Sequence, residues 1–299
     1  MLRWLVVAAA VTAVLLVTAG TLVAIIYTRQ HPGVTTEPSL APIMTASNPA
    51  TQPGTSAAPP TTPGPSASSG GSHPTGTQPG PGRPPVPARL AGKDVQTIPT
   101  SRPEVALTFD AGANGDGLVP IMATLSAQHV PGTFFLTGDF AGRYPAAVRA
   151  IAAAGHRVGN HSLAHPYFTA LPDAAIGREL AGAEAAVTAA GGGSTRPLFR
   201  FPYGDRDNRT IAAVNAAGYV CVRWTVDTLG WQGTSGGITT QVVVDRVLAA
   251  ARPGEIVLMH IGSHPTDHST LDADALPAVI SRLRDRGYGF VTLDALLNS

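Results

Sequence analysis

Three hydropathy regimes follow one another along the chain. Residues 5–27 are apolar and carry no charge. Residues 31–87 show no apolar period, and Pro, Ser, Thr, Gly and Ala dominate there. From about residue 90 onward, short apolar runs alternate with segments whose apolar residues recur every three or four positions. The runs at 105–109, 133–136, 198–200, 219–226, 256–259 and 290–292 predict strands, with another short one beginning at Val158. Between them, Leu118, Ile121, Met122 and Leu125 share one helical face, as do Ile176, Leu180, Ala183 and Val187. Further helices are predicted over 145–154 and 207–217, and on the stripes Val243, Val247, Leu248, Ala251 and Leu276, Val279, Ile280, Leu283. Gly155, Gly191, Gly218, Gly254 and Gly287 stand where these helices should stop.

About seven β/α alternations result. Strands apolar on both faces and linked by helices imply a parallel sheet with right-handed crossovers. The predicted fold class is therefore α/β, a small, incomplete (β/α) barrel, with a doubly wound open sheet as the other option. No GxGxxG opens a helix, which speaks against a nucleotide-binding sheet.

The two N-terminal regimes are read separately. At ~1.5 Å per residue, a helix over 5–27 spans roughly 34 Å, enough for a bilayer core of ~30 Å. The simplest reading is a signal-anchor helix with Arg3 and Arg29 flanking it. A cleaved signal peptide, with Val17-Thr18-Ala19 as the cleavage site, is the alternative. Either sends the rest of the chain across the membrane. Residues 28–89 are read as a disordered Pro/Ser/Thr/Gly-rich linker: 31–90 hold fifteen of the 27 prolines, and Glu37 and Arg83 are the only formal charges in 31–87. The folded domain is placed at 103–293.

Composition removes whole classes of function. Charged residues make up 13% and the net charge is +1, so no basic field exists to grip nucleic acid. A single cysteine, Cys221, excludes an intrachain disulfide framework and any Cys-rich zinc module. Cys221 itself sits in an apolar run and reads as a core strand residue. No obligate protein partner is evident.

The polar residues collect at predicted strand ends, where β/α barrels carry their chemistry. In order they are Asp110; His161 and His165; Arg200, in Arg200-Phe201-Pro202-Tyr203-Gly204; Asp227, followed by Trp231; and His260 after Leu258. His161 and His165 are four apart, so on a helical turn two imidazoles would converge on one metal ion beside a carboxylate, leaving a position open for water. His264 and His268, in the following loop, are read as solvated loop residues, with groove lining or metal binding as the alternative.

These residues fall into five ordered motifs, and the domain resembles the polysaccharide deacetylases of the NodB-homology type, carbohydrate esterase family 4. Thr108-Phe109-Asp110-Ala111-Gly112 is similar to the family's T-F-D-D-G. His161-Ser162-Leu163-Ala164-His165 matches H-S/T-x-x-H, and the segment at Arg200 matches R-x-P-x-G. Asp227-Thr228-Leu229-Gly230-Trp231 is similar to D-x-x-D-W, and Leu258-Met259-His260 matches L-x-H. The resemblance implies a distorted seven-stranded (β/α) barrel and metal-dependent removal of acetyl groups from a sugar polymer. It implies His161 and His165 as ligands of a divalent metal ion, usually Zn2+, with Co2+ or another ion possible. Asp110 becomes the base, Arg200 its orienting partner, the Tyr203 N–H an oxyanion donor and His260 the acid. Leu258 and Trp231 become the walls of the acetyl pocket.

Two positions depart from the family pattern. Ala111 replaces the carboxylate that normally ligates the metal, leaving a water, Asp110, Asn114 or Asp116 as candidate replacements. Gly230 replaces the aspartate that normally tunes the catalytic histidine. Asp227 is the candidate substitute there, the other expectation being a lower pKa for His260 than is usual in the family. The expected protein is a membrane-tethered N-deacetylase of a cell-wall glycan, peptidoglycan first, with its catalytic domain extracytoplasmic. A chitooligosaccharide deacetylase, an acetylxylan esterase and a catalytically silent glycan-binding protein are the alternatives.

Overall fold

The computed structural model describes residues 86–299. The expected membrane helix at 5–27, and all but the end of the expected linker, lie outside the described residues. Among the described residues, no helix is long and apolar enough to cross a membrane.

Among the described residues, nine strands form one sheet, and every ladder in it is parallel. They are β1 (Asp94–Val95), β2 (Glu104–Ala111), β3 (Thr133–Leu136), β4 (Arg157–Asn160), β5 (Leu198–Phe199), β6 (Val220–Val222), β7 (Val226–Asp227), β8 (Glu255–His260) and β9 (Gly289–Phe290). The path runs β1-β6-β5-β4-β3-β2-β8-β7, with β9 added against the start of β2. This is a parallel-stranded α/β half-barrel, consistent with the expected barrel class.

The count of seven strands needs correction. The single run expected at 219–226 is broken at residues 223–225: β6 pairs with β5 and β1, whereas β7 pairs with β8. The path therefore has β7 at one end and β6 next to the other end, and three residues join them covalently where a ladder would close a full barrel. The ninth strand, β1, precedes residue 103. Leu90, Val95 and Ile98 are buried with Ala106, Phe135 and Ile256, so chain upstream of 103 packs into the fold.

The core has layers set by strand alternation. Val105, Leu107, Phe109 and Ala111 of β2 face an outer apolar layer. That layer is shared with α1 (Leu118–Ala127), α2 (Gly138–Arg143), α3 (Pro145–Ala153), α4 (Asp173–Ala189), α6 (Thr240–Ala250) and α7 (Leu271–Asp285). Ala106 faces the inner layer, and Thr108 and Asp110 follow it at the same strand parity. Full burial of each Phe in these layers contributes about 1.5–3 kcal/mol. The helix boundaries follow local chemistry. α5 (Asn208–Ala216) starts from a reciprocal cap between Asp207 and Thr210. Gly155 and Gly218, expected as stops, adopt φ of 79° and 81°, where a side chain would be strained. α8 (Asp294–Leu297) closes the chain.

Candidate active site

β2 and β8 carry the first two functional side chains. Asp110 and His260 are register partners on these adjacent strands. Both stand at the C-terminal ends, where parallel sheets leave groups unpaired for chemistry. Leu258 is buried two residues before His260 and so shares its face of β8.

Arg200 fixes Asp110. The guanidinium is fully buried and donates from Nη1 to Asp110 Oδ1 at 2.7 Å. Its other groups donate to the carbonyls of Val222 and Arg223, and it lies 4.2 Å over the Phe135 ring. Burial alone would raise the Asp110 carboxyl. Arg200, then His161 and His260, outweigh it and hold the group below the usual carboxylate range. Asp110 is therefore ionised at neutral pH, and its second oxygen lies 3.4 Å from His161 Nε2.

His161 and His165 converge, but not through a helical turn. Residues 161–167 form no helix, and Ser162 and His165 have φ of 69° and 60°. Asn160 Oδ1 accepts from the Ser162 N–H, and Ser162 Oγ accepts from the His165 N–H, each at 2.9 Å. Glu179 Oε2, on α4, accepts from the N–H groups of Leu163 and Ala164. These bonds hold a left-handed loop that brings the two Nε2 atoms to 3.2 Å. His161 Nδ1 lies 2.9 Å from the Arg200 carbonyl, so it carries the proton and leaves the Nε2 lone pair facing His165. Burial, then the neighbouring His161, pushes His165 down to about 4, so it is neutral at neutral pH.

These two imidazoles fit a divalent ion as a pair. Two nitrogens at ~2.1 Å from one tetrahedral ion stand roughly 3.4 Å apart. Of the candidate third ligands, Asp110 keeps one oxygen 3.4 Å from His161 Nε2. The Ala111 methyl is buried in the outer apolar layer. Asn114 and Asp116, the candidate replacements, are turned to the next loop: Asn114 Oδ1 accepts from the Ser263 N–H at 2.8 Å, and Asp116 Oδ2 from Ser263 Oγ at 2.5 Å. Among the described residues, no three His, Cys, Asp or Glu side chains form a metal-holding group.

The remaining expected residues fall on the rim. Tyr203 has φ 57° in a short 3₁₀ turn over Pro202–Gly204, in which the Gly204 and Asp205 N–H groups donate to the carbonyls of Phe201 and Pro202 and, among the described residues, no backbone acceptor is given to the Tyr203 N–H. Its exposed ring packs edge-on against His165 at 4.4 Å and stacks on Tyr167 at 4.3 Å. Trp231 is half exposed, and its Nε1 donates to Asp227 Oδ2 at 3.3 Å. Asp227 also accepts from the Leu229 N–H, so it braces the Trp231 turn and makes no hydrogen bond to His260. Cys221 is buried in the core as expected. His264 pairs with Asp267 at 3.2 Å within its own loop.

The carboxylate beside His260 is one the motif reading missed. Asp272, in the first turn of α7, accepts from the His260 N–H at 2.8 Å, and its Oδ2 lies 3.5 Å from the ring Nδ1. Burial opposes a charge on the ring, but Asp272 first, then Asp110 and Asp227, raise His260 above its ordinary value. An acidic residue at the start of a helix also reads as a favourable helix-end charge, so its sequence signal is ambiguous.

The chain is similar to known proteins. Residues 97–222 match the family model described as polysaccharide deacetylase. The chain is 34% identical over 204 residues to a chitooligosaccharide deacetylase of Sinorhizobium fredii, which covers 65% of this chain and 93% of the relative. It is 31% identical over 201 residues to a peptidoglycan-N-acetylglucosamine deacetylase of Bacillus cereus, covering 67% and 70% respectively. A CE4 family pseudoenzyme from Bacillus anthracis superposes with a TM-score of 0.63 at 26% identity, covering 70% of each chain. A variant of that pseudoenzyme has restored enzymatic activity. The chain belongs to the polysaccharide deacetylase family (NodB/CE4), hydrolases that act on N-acetyl amide bonds.

Proposed function

We propose that this protein is a metal-dependent deacetylase that hydrolyses N-acetyl groups of a cell-wall polysaccharide, peptidoglycan first, to free amine and acetate. The observation that carries the reading is the base–acid pair. An ionised Asp110, locked by a buried Arg200, stands beside a raised His260 on the adjacent strand.

The chemistry divides among these groups. Hydrolysis of an amide needs a proton removed from water, a donor for the developing oxyanion and a proton for a poor leaving group. Asp110 accepts the water proton, and Arg200 keeps its free oxygen aimed. His260 delivers a proton to the departing nitrogen. The Tyr203 N–H supports the oxyanion. Leu258 and Trp231 flank the acetyl methyl. His161 and His165 would hold the divalent ion, Zn2+ or Co2+, which when bound polarises the acetyl carbonyl and acidifies water.

The sequence of residues 5–27 and 28–89 supports a single-pass anchor and a tether that present the domain outside the cytoplasm. A chitooligosaccharide substrate is the second reading, favoured by the similarity to the Sinorhizobium enzyme. Ala111, together with the likeness to a pseudoenzyme, supports a catalytically weak glycan binder instead.

Acetate release from peptidoglycan, chitin oligomers and acetylated xylan, each with and without Zn2+ or Co2+, tests the reading. The expected result is ion-dependent release, greatest from peptidoglycan. No release from any of the three under any condition would end it.

A further inference from the structure

His260 emerges from β8 with its ring edge toward the first turn of α7. Its Nδ1 is buried and has no hydrogen-bond partner other than the Asp272 carboxylate at the limit of bonding distance. Asp272 is itself 3% exposed. Its two oxygens are committed in opposite directions. Oδ1 accepts from Thr228 Oγ1 at 2.6 Å, and Oδ2 accepts from the His260 backbone N–H at 2.8 Å. Among the described residues, His260 is the one cationic group within ion-pair distance of Asp272. A buried carboxylate in that position favours a protonated imidazole beside it.

The place of Asp272 explains the glycine in the fourth motif. A Cβ built on Gly230 would lie 2.5 Å from Asp272 Cγ. Gly230 is not among the positive-φ residues, so its backbone would accept a side chain. What such a side chain meets first is the Asp272 carboxylate, whose three atoms are its nearest neighbours. Position 230 and position 272 thus compete for a single space beside His260.

We infer that Asp272 is the positioning residue for the acid His260, supplying from helix α7 the carboxylate that the D-x-x-D-W pattern would place at residue 230. The inference rests on the reading of His260 as the acid. Other charged groups facing the ring are Asp110 on β2, Asp227 on β7, and His161 and His165 in the loop after β4. The two aspartates reinforce Asp272, and the two histidines oppose it if protonated. None of the four bonds to the backbone of residue 260 or occupies the space at residue 230.

The test uses full-length protein with isotope-labelled histidine. The His260 ring is titrated by NMR in the wild type, Asp272→Asn, and the double variant Asp272→Gly/Gly230→Asp. Asp272→Asn keeps the shape and should lower the His260 midpoint by about one pH unit. It should also lower kcat about 10- to 100-fold and move the alkaline limb of kcat/KM down with the ring. The double variant returns a carboxylate to the same space from the other side and should restore midpoint and limb. An unchanged His260 midpoint in folded Asp272→Asn, or a folded double variant that restores neither property, overturns the inference. If Asp272→Asn does not fold, the double variant decides alone. A wild type without deacetylase activity would sink the functional reading, and the ring titration would still decide the link between residues 272 and 260.

Discussion

Asp110 and His260 are direct neighbours across the β2–β8 ladder, and their environments push their proton affinities apart. Arg200 holds Asp110 ionised, while Asp272 holds His260 ready to carry a proton. Two groups with opposite shifts on one face are what general-base and general-acid roles require at the same pH. Neither strand could exchange its residue with the other. Each depends on a partner buried from a different direction: Arg200 after β5 and Asp272 on α7.

The pH dependence follows from the two directions. Activity should fall at acid pH as Asp110 protonates, with that limb below the usual carboxylate value. It should fall again at alkaline pH as His260 loses its proton, with that limb above 6.5. A kcat/KM profile in metal-saturated buffer checks this. A profile whose alkaline limb lies below pH 6 contradicts the His260–Asp272 pairing.

Asp110→Asn should lower acetate release at least about 100-fold, because the amide cannot accept the water proton. It should also destabilise the fold by about 3 kcal/mol, because Arg200 keeps its buried charge without a counter-ion. Denaturant unfolding separates the two effects. The sign of the stability change with pH is fixed by the lowered carboxyl: the Asp110 contribution is present above its unfolded value near 4 and is lost as pH falls through the folded value. Equal unfolding midpoints for wild type and variant would show that the Arg200 pairing does not stabilise the protein.

Chelation should abolish acetate release, and Zn2+ should restore it. Isothermal titration should find one divalent site that disappears in His161→Ala. Undiminished Zn2+ binding in His161→Ala would remove the imidazole pair as the site.

Much of this was legible in the chain, for identifiable reasons. Strands buried on both faces leave continuous apolar runs, and helices leave their period, so the β/α order follows directly. The polar groups at strand ends are legible because buried runs make any polar residue conspicuous. What the pattern conceals is long-range. The run at 219–226 carries Arg223 and Thr225 at its break, but the cause of the break is hidden because the partners of the two halves, β5 and β8, are distant in sequence. The loop at 161–165 has the spacing of a helical turn. Glu179, 15 and 16 residues away, holds it out of one. Gly230 reads as a lost carboxylate because the group that fills its space lies 42 residues further along the chain.

Glu255 gives a prediction independent of the site. It opens β8, five residues from His260 and thus roughly 16 Å away. It is fully buried, neither carboxyl oxygen has a hydrogen-bond partner, and burial pushes it up to about 8 despite Arg252 and Arg286 nearby. A carboxyl raised in the folded state binds its proton more tightly there than when unfolded. Stability is therefore greatest below the unfolded value near 4.5 and declines as pH rises toward and through 8, by an amount on the order of 3–5 kcal/mol. Glu255→Gln removes the titration. The variant should match wild type near pH 4.5, exceed it in stability above pH 8, and retain acetate release throughout. Unfolding midpoints measured across that range check the claim, and parallel curves for the two proteins would contradict it.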